Sequence, residues 1–271
     1  YVPGWVGENT LGILSSYSGT TEETLTCGMQ VLDYNAPAIC ITSGGKLRDY
    51  YQARDVPIVP VPPGLQPRAA LLHMLVPLVI ILQRMEILPD VTADLDEARE
   101  TIAGAVAAYG PDVPLADNPA KQLAAALEGT MPVVWGAELT AAVAMRWKCQ
   151  FNENAKVPSF WAALPELDHN EIMAFESIPP EVSDRMLILA LRDTSDHKQV
   201  ARRFEITREL VAGRVSGWRE IESDGDTPLA RMLSLIQLGD GDWASFWLAM
   251  RKGEDPTPVE TIQKLKGVLA G

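Results

Sequence analysis

The sequence predicts an α/β protein built on mostly parallel sheets with helices packed on them. Three observations lead there. Short apolar runs with the length of buried strands recur along the chain. Polar turns rich in hydroxyls or glycine close them, and segments of helical length lie between them.

The elements follow in order. Leu11–Ser16 reads as a short buried strand, and Tyr17–Thr20 as the turn after it. A helix opens at Thr21-Glu22-Glu23-Thr24, where acidic residues suit the positive end of the helix dipole, and ends near Tyr34-Asn35. Ala36–Thr42 is a second strand, stopped by Ser43-Gly44-Gly45. Val56–Val61 is a third, placed at a sheet edge because of its prolines. Helices dominate from there to Ala108, one of them starting near Arg68 behind Pro67. A second cycle begins with the strand Met131–Gly136 and a helix over Leu139–Phe151. The strand Arg185–Leu191, an amphipathic helix over Asp196–Ala212 and a strand within Val215–Glu222 follow. Pro228–Gly271 reads as helices. The Pro- and Asp-rich stretch Gly110–Pro119 is the expected boundary region, giving a first domain over residues 1–120 and a second over 121–271.

Composition narrows the function classes. The 271 residues are 47% apolar and 22% charged, which excludes disorder, collagen-like repeats and coiled coil. A net charge of −13 argues against a nucleic-acid partner, although a small anionic ligand needs only a local positive pocket. Three cysteines (Cys27, Cys40 and Cys149) without CxxC spacing suit a reduced, cytoplasmic setting. The first residues carry no signal-peptide pattern. The most apolar run, Leu71–Leu82, falls short of the ~20 residues of a membrane span and reads as a buried core helix kinked at Pro77. His73, His169 and His197 are scattered without ligand spacing, so neither metal nor cofactor is expected. The tryptophans at 135, 147, 161, 218, 243 and 247 are expected in the core and at a subunit interface, and Glu205, Arg208 and Glu209 on a solvated helix face.

Ser15-Ser16-Tyr17-Ser18-Gly19-Thr20-Thr21-Glu22-Glu23-Thr24 sits between a strand end and a helix start. It offers backbone N–H groups, a cluster of hydroxyls and a glycine, the components of a phosphate cradle; an ordinary Ser/Thr N-cap is the simpler alternative. This string resembles the phosphate loop of sugar isomerase (SIS) domains. The second half sharpens the resemblance. Trp147–Lys156, with its Phe-Asn-Glu-Asn-Ala-Lys string, and Leu164-Pro165-Glu166-Leu167-Asp168-His169-Asn170 are similar to the bifunctional phosphoglucose/phosphomannose isomerases, which are tandem-SIS enzymes. Pro67–Leu71 and Asp255-Pro256-Thr257-Pro258 extend the likeness over essentially the whole chain.

That resemblance implies two SIS-type doubly wound parallel-sheet domains, the first lacking its N-terminal strand or strands. It also implies an aldose–ketose isomerase interconverting glucose 6-phosphate and mannose 6-phosphate with fructose 6-phosphate. In that chemistry a carboxylate moves a proton between adjacent carbons through an enediolate, and the family assigns the role to Glu153. His169 takes the ring-opening position, reaching into the active site of the other subunit of a homodimer, with Asp168 beside it as a possible partner of the imidazole. Arg68 takes the place of the guanidinium that stabilises the enediolate. Lys264 aligns with a lysine that assists ring opening or contacts the sugar, Lys266 being the neighbouring alternative. Ser16, Ser18 and Thr21 would bind the phosphate. Thr257, small near the sugar's C2, would leave room for either epimer.

The family's glycine-rich loop on its first strand has no counterpart here, since Gly44-Gly45 follows a later strand. A first strand carrying the phosphate loop also expects neighbours on both sides. Both points lead to the expectation of further residues before Tyr1. If the loop is instead lost, the competing reading is a non-catalytic sugar-phosphate-binding regulator.

Overall fold

Parallel pairing organises every strand among the described residues. The computed structural model describes residues 1–239 and 243–269, and the chain forms two units, Tyr1–Val91 and Thr92–Gly271.

The first unit runs β1 (Gly12–Ser15), α1 (Glu22–Asp33), β2 (Ala38–Thr42), α2 (Gly45–Gln52), β3 (Ile58–Pro60), a 3₁₀ turn over Pro67–Ala70 and α3 (Leu71–Arg84). Its sheet has the order β1-β2-β3, with Leu14 opposite Cys40 and Ile41 opposite Val59. The proline-bearing β3 lies at an edge, as its composition predicts. Alternation along β2 sorts the core into two faces. Ala38 and Cys40 pack with Leu14, Val31, Leu47 and Tyr51, while Ile41 packs on the other face with Tyr17, Val61 and Ala70. Burial pushes the Cys40 thiol up to about 11, so it is a packing residue rather than a nucleophile.

The reading of Leu71–Leu82 as a buried core helix is corrected. No residue of α3 is buried. The narrow three-stranded sheet gives it one stripe of contact, through Met74, Leu78 and Ile81, and its remaining apolar side chains stay partly exposed. With the preceding 3₁₀ turn, Pro67–Arg84 is long and apolar enough to cross a membrane by length and composition alone.

The second unit begins with α4 (Thr92–Tyr109) and α5 (Pro119–Leu127). Next come β4 (Met131–Ala137), α6 (Glu138–Glu153), β5 (Phe160–Leu164), α7 (Pro180–Ser183), β6 (Met186–Arg192), α8 (Lys198–Val211) and β7 (Gly217–Glu222). It ends with α9 (Pro228–Gly239), α10 (Ala244–Lys252) and α11 (Glu260–Leu269); the helical reading of residues 240–242 and 270–271 falls outside the described residues. The sheet order is β5-β4-β6-β7. Central β4 and β6 are covered on both faces, which is why Met131–Ala137 and Met186–Arg192 read as nearly continuous apolar runs. Trp135 anchors one face, meeting Phe175 and Trp218 edge-on at 5.8 and 5.5 Å. Trp147 anchors α6, its indole N–H donating to Leu235 O at 3.1 Å. Arg208, on the exposed face of α8, reaches Glu220 at 3.2 Å.

α4 groups with this second unit, ahead of the stretch where the sequence places the boundary. The Glu97 carboxylate accepts the backbone N–H groups of Asp226 and Thr227 at 2.6 and 3.0 Å, and Trp247 donates to Tyr109 O at 3.0 Å. Because all pairs are parallel, the carboxyl ends of each sheet's strands share one rim, where α/β sheets bind ligands.

Candidate active site

The hydroxyl-rich turn after β1 is held from within and from beside it. Ser16 Oγ and Thr21 Oγ1 lie 3.1 Å apart, and the Gly19 N–H donates to Ser16 Oγ at 3.2 Å. Ser18 Oγ accepts from the backbone and hydroxyl of Thr20. Thr21, at the N-cap of α1, makes no side-chain cap; its hydroxyl faces Ser16, so the first N–H groups of α1 carry no side-chain acceptor from it. This distinguishes the turn from an ordinary N-cap and leaves donors suited to an anion.

The turn after β2 supplies the second wall. Ser43 donates to Tyr17 O through both its hydroxyl (2.6 Å) and its backbone N–H (3.0 Å), and Leu47 N–H donates to Gly19 O at 2.8 Å. The fit leaves no room for a side chain at Gly19, where φ is 62° and a Cβ would stand 1.7 Å from Gly44 O. Thr42, Ser43 and Gly44 are therefore site-supporting residues that sequence reasoning set aside. Tyr17, buried behind the turn, also bonds to Pro62 O and to the Leu65 N–H, tying it to the segment that leads into Arg68. Arg68 is half-buried in the 3₁₀ turn Pro67–Ala70.

In the second unit, α6 ends at Glu153, and each neighbour in Phe151–Lys156 has a structural task. Phe151 and Ala155 are fully buried. The Asn152 amide donates to Val157 O at 2.8 Å, Asn154 to Ser245 Oγ at 2.9 Å, and Lys156 Nζ to Glu153 O and Pro258 O. Glu153 itself is half-buried and lines a cleft of about 490 Å³ with Asn152, Lys156, Glu254, Asp255 and the start of α11. Across this cleft runs the Asp255–Pro258 segment. The backbone N–H and then the side chain of Thr257 hydrogen-bond the Asp255 carboxylate and hold it below its usual range, with Lys156 adding to the effect.

Comparison with known proteins decides the family. Residues 116–269 match the bacterial phospho-glucose isomerase C-terminal SIS domain. The chain is 40% identical over 270 residues to a bifunctional phosphoglucose/phosphomannose isomerase of Caldicellulosiruptor bescii, covering 99% of this chain and 79% of that one. It is 34% identical over 265 residues to one of Aquifex aeolicus, covering 98% and 78%. The chain belongs to the bifunctional phosphoglucose/phosphomannose isomerase family. Solved structures show the same fold at low identity. The C-terminal domain of glucosamine-fructose-6-phosphate aminotransferase from Francisella tularensis matches with a TM-score of 0.69 at 17% identity, covering 95% of this chain and 75% of that one. A glucose-6-phosphate isomerase like protein from Thermus thermophilus matches at 0.62 and 19%, covering 95% and 88%.

Within this isomerase-family chain, the structure brings some expected residues together and leaves others apart. Ser16, Ser18 and Thr21 share one turn, and Glu153 shares its cleft with the segment bearing Thr257. His169 is exposed in a short 3₁₀ turn after β5 and is not among the residues lining that cleft. Asp168 does not turn to the imidazole. Arg203 Nη1 and Thr207 Oγ1 of α8 occupy its two oxygens, each at 2.8 Å. Lys264 and Lys266 are both exposed on α11, which has no buried residue. Among the described residues no three His, Cys, Asp or Glu side chains are grouped to hold a metal ion.

Proposed function

We propose that this chain interconverts glucose 6-phosphate and mannose 6-phosphate with fructose 6-phosphate, with Glu153 as the base. The observation that carries this reading is the division of labour in Phe151–Lys156, where the flanking residues pack or tether and Glu153 lines the cleft. A glutamate serving only to cap a helix end would need no such scaffold.

The steps balance without a redox partner. Glu153 removes the proton from C2 of the open-chain aldose, the C–H electron pair forms the C1=C2 bond, and the carbonyl oxygen on C1 takes up negative charge and then the proton that the C2 hydroxyl gives up. The protonated Glu153 returns its proton to C1 while C2 becomes the carbonyl. Arg68 offsets the charge of the enediolate. Ser16, Ser18, Thr21 and the N–H groups at the start of α1 hold the phosphate. His169 moves the proton between ring oxygen and anomeric hydroxyl, with Lys264 or Lys266 assisting. Thr257 leaves space for either configuration at C2.

The reading makes the enzyme a cytoplasmic homodimer in which His169 acts in the partner subunit's site. Its exposure outside the Glu153 cleft supports this. So does the edge strand β5 that leads to it, whose first residues Phe160 and Trp161 are 55% and 38% exposed.

A coupled assay from fructose 6-phosphate to glucose 6-phosphate, run in parallel with mannose 6-phosphate, tests the proposal. Turnover of both aldoses is expected, with kcat falling about 10²–10⁴-fold in Glu153→Gln while the protein stays folded. Undiminished turnover in that variant removes Glu153 from the chemistry. Binding of hexose phosphates without turnover by the parent establishes the regulator instead.

A further inference from the structure

Lys156 stands three residues beyond Glu153 with φ at 53°, a left-handed conformation that favours glycine over any residue with a Cβ. A lysine placed there is held by what its side chain does. Its ammonium donates to Glu153 O at 2.5 Å and to Pro258 O at 2.8 Å. The first acceptor is a last-turn carbonyl of α6, at the negative end of the helix dipole. The second lies next to Thr257 across the cleft. The cleft is also lined by the carboxylates of Glu153, Glu254, Asp255 and Glu260, and Lys156 is the only cation among its described lining residues. Lys252 adds a second tether, donating to Ala155 O at 2.7 Å.

We propose that Lys156 is the positioning residue of this site, a cationic clamp that sets the distance between the Glu153 backbone and the Asp255–Pro258 segment, which carries Thr257. It thereby sets both proton-transfer geometry and the balance between the two aldoses. The inference rests on the reading of Glu153 as base. A base that must serve two adjacent carbons tolerates little displacement, and misplacement by about 1 Å costs on the order of 10²-fold in rate.

The test uses the full chain and three proteins: parent, Lys156→Gly and Lys156→Arg. Glycine adopts the left-handed backbone without strain, so Lys156→Gly is expected to fold with a parental far-UV spectrum and Tm. If backbone conformation were the whole role of this position, it would keep parental kinetics. The clamp instead requires kcat to fall by about 10–100-fold with KM changed less than about threefold. It also requires the ratio of kcat/KM for glucose 6-phosphate and mannose 6-phosphate to move by about threefold or more. Lys156→Arg, which keeps charge and donors, should restore most of both. Parental kcat and ratio in Lys156→Gly, or no rescue by Lys156→Arg, overturns the clamp and leaves Glu153 untouched. A parent inactive on both aldoses overturns the function and the clamp together.

Discussion

The phenol of Tyr17 donates a 2.9 Å hydrogen bond to the carbonyl oxygen of Pro62, and the phenol oxygen in turn accepts the Leu65 N–H at 2.9 Å. One hydroxyl thus joins the phosphate-loop candidate to the chain entering the turn that bears Arg68. Tyr17→Phe keeps the ring and removes both bonds. Its expected cost is about 1–3 kcal/mol of stability, read by urea unfolding, because the Leu65 N–H and Pro62 O lose a part-buried partner. KM for hexose phosphates should rise several-fold, with kcat less affected. Parental stability and KM would show that water replaces the bridge.

Gly19 offers a harsher test of the same turn. An added methyl would meet Gly44 O at 1.7 Å in a backbone conformation that alanine resists. Gly19→Ala should destabilise by about 2–4 kcal/mol. It should also abolish binding of fructose 6-phosphate in calorimetry under conditions where the variant is still folded. Tight binding by a folded Gly19→Ala protein would place the phosphate elsewhere.

Glu171 gives a pH-dependent prediction. Burial raises its pKa, only partly countered by the Trp135 indole N–H that donates to its carboxylate at 3.0 Å. A carboxyl whose folded pKa exceeds its unfolded value binds its proton more tightly in the native state. It therefore costs stability above the folded pKa and recovers it as pH falls through that raised value. Glu171→Gln keeps an oxygen acceptor for Trp135 and carries no charge, so it should raise Tm at pH 7. The gap should close as the pH falls below the raised pKa. A gap constant from pH 4 to 8 would remove ionisation of Glu171 as its cause.

Subunit sharing can be read by complementation. If His169 acts in the partner's site, neither Glu153→Gln nor His169→Ala is active on closed-ring substrate alone. Dissociated, mixed and reassociated, random dimers should regain about a quarter of parental activity, since half are mixed and each contains one intact site of two. No recovery from a reassociated mixture places both residues in one subunit's site.

Much of the fold is legible in the sequence because strong local signals agree with tertiary demands. The runs Met131–Gly136 and Arg185–Leu191 must be apolar throughout, since central parallel strands are covered on both faces. What escapes is local structure whose signal is weak. Phe160–Leu164 forms β5 from only five residues flanked by Pro158 and Pro165. Gly45–Gln52 forms α2 from a polar stretch that opens within the Ser43-Gly44-Gly45 stop signal and to which the sequence reading assigns no element. The burial of α3 escapes too, because hydropathy reports what could be covered and not how wide the sheet beneath it is. At the site, motif residues are visible but their partners are not. Nothing in Asp168-His169 announces that Asp168 turns to α8, and nothing in Ser43-Gly44 shows that it braces the turn after β1.

Both sheets run every strand the same way, and this has a practical side. In the second unit, loops that feed the strands, such as Gly129-Thr130 before β4 and Gly213–Ser216 before β7, emerge at the rim opposite that unit's Glu166–His169 turn. Reporter groups, affinity handles or surface-immobilisation chemistry belong on those back-rim loops. The rim that carries the Glu166–His169 turn then stays clear.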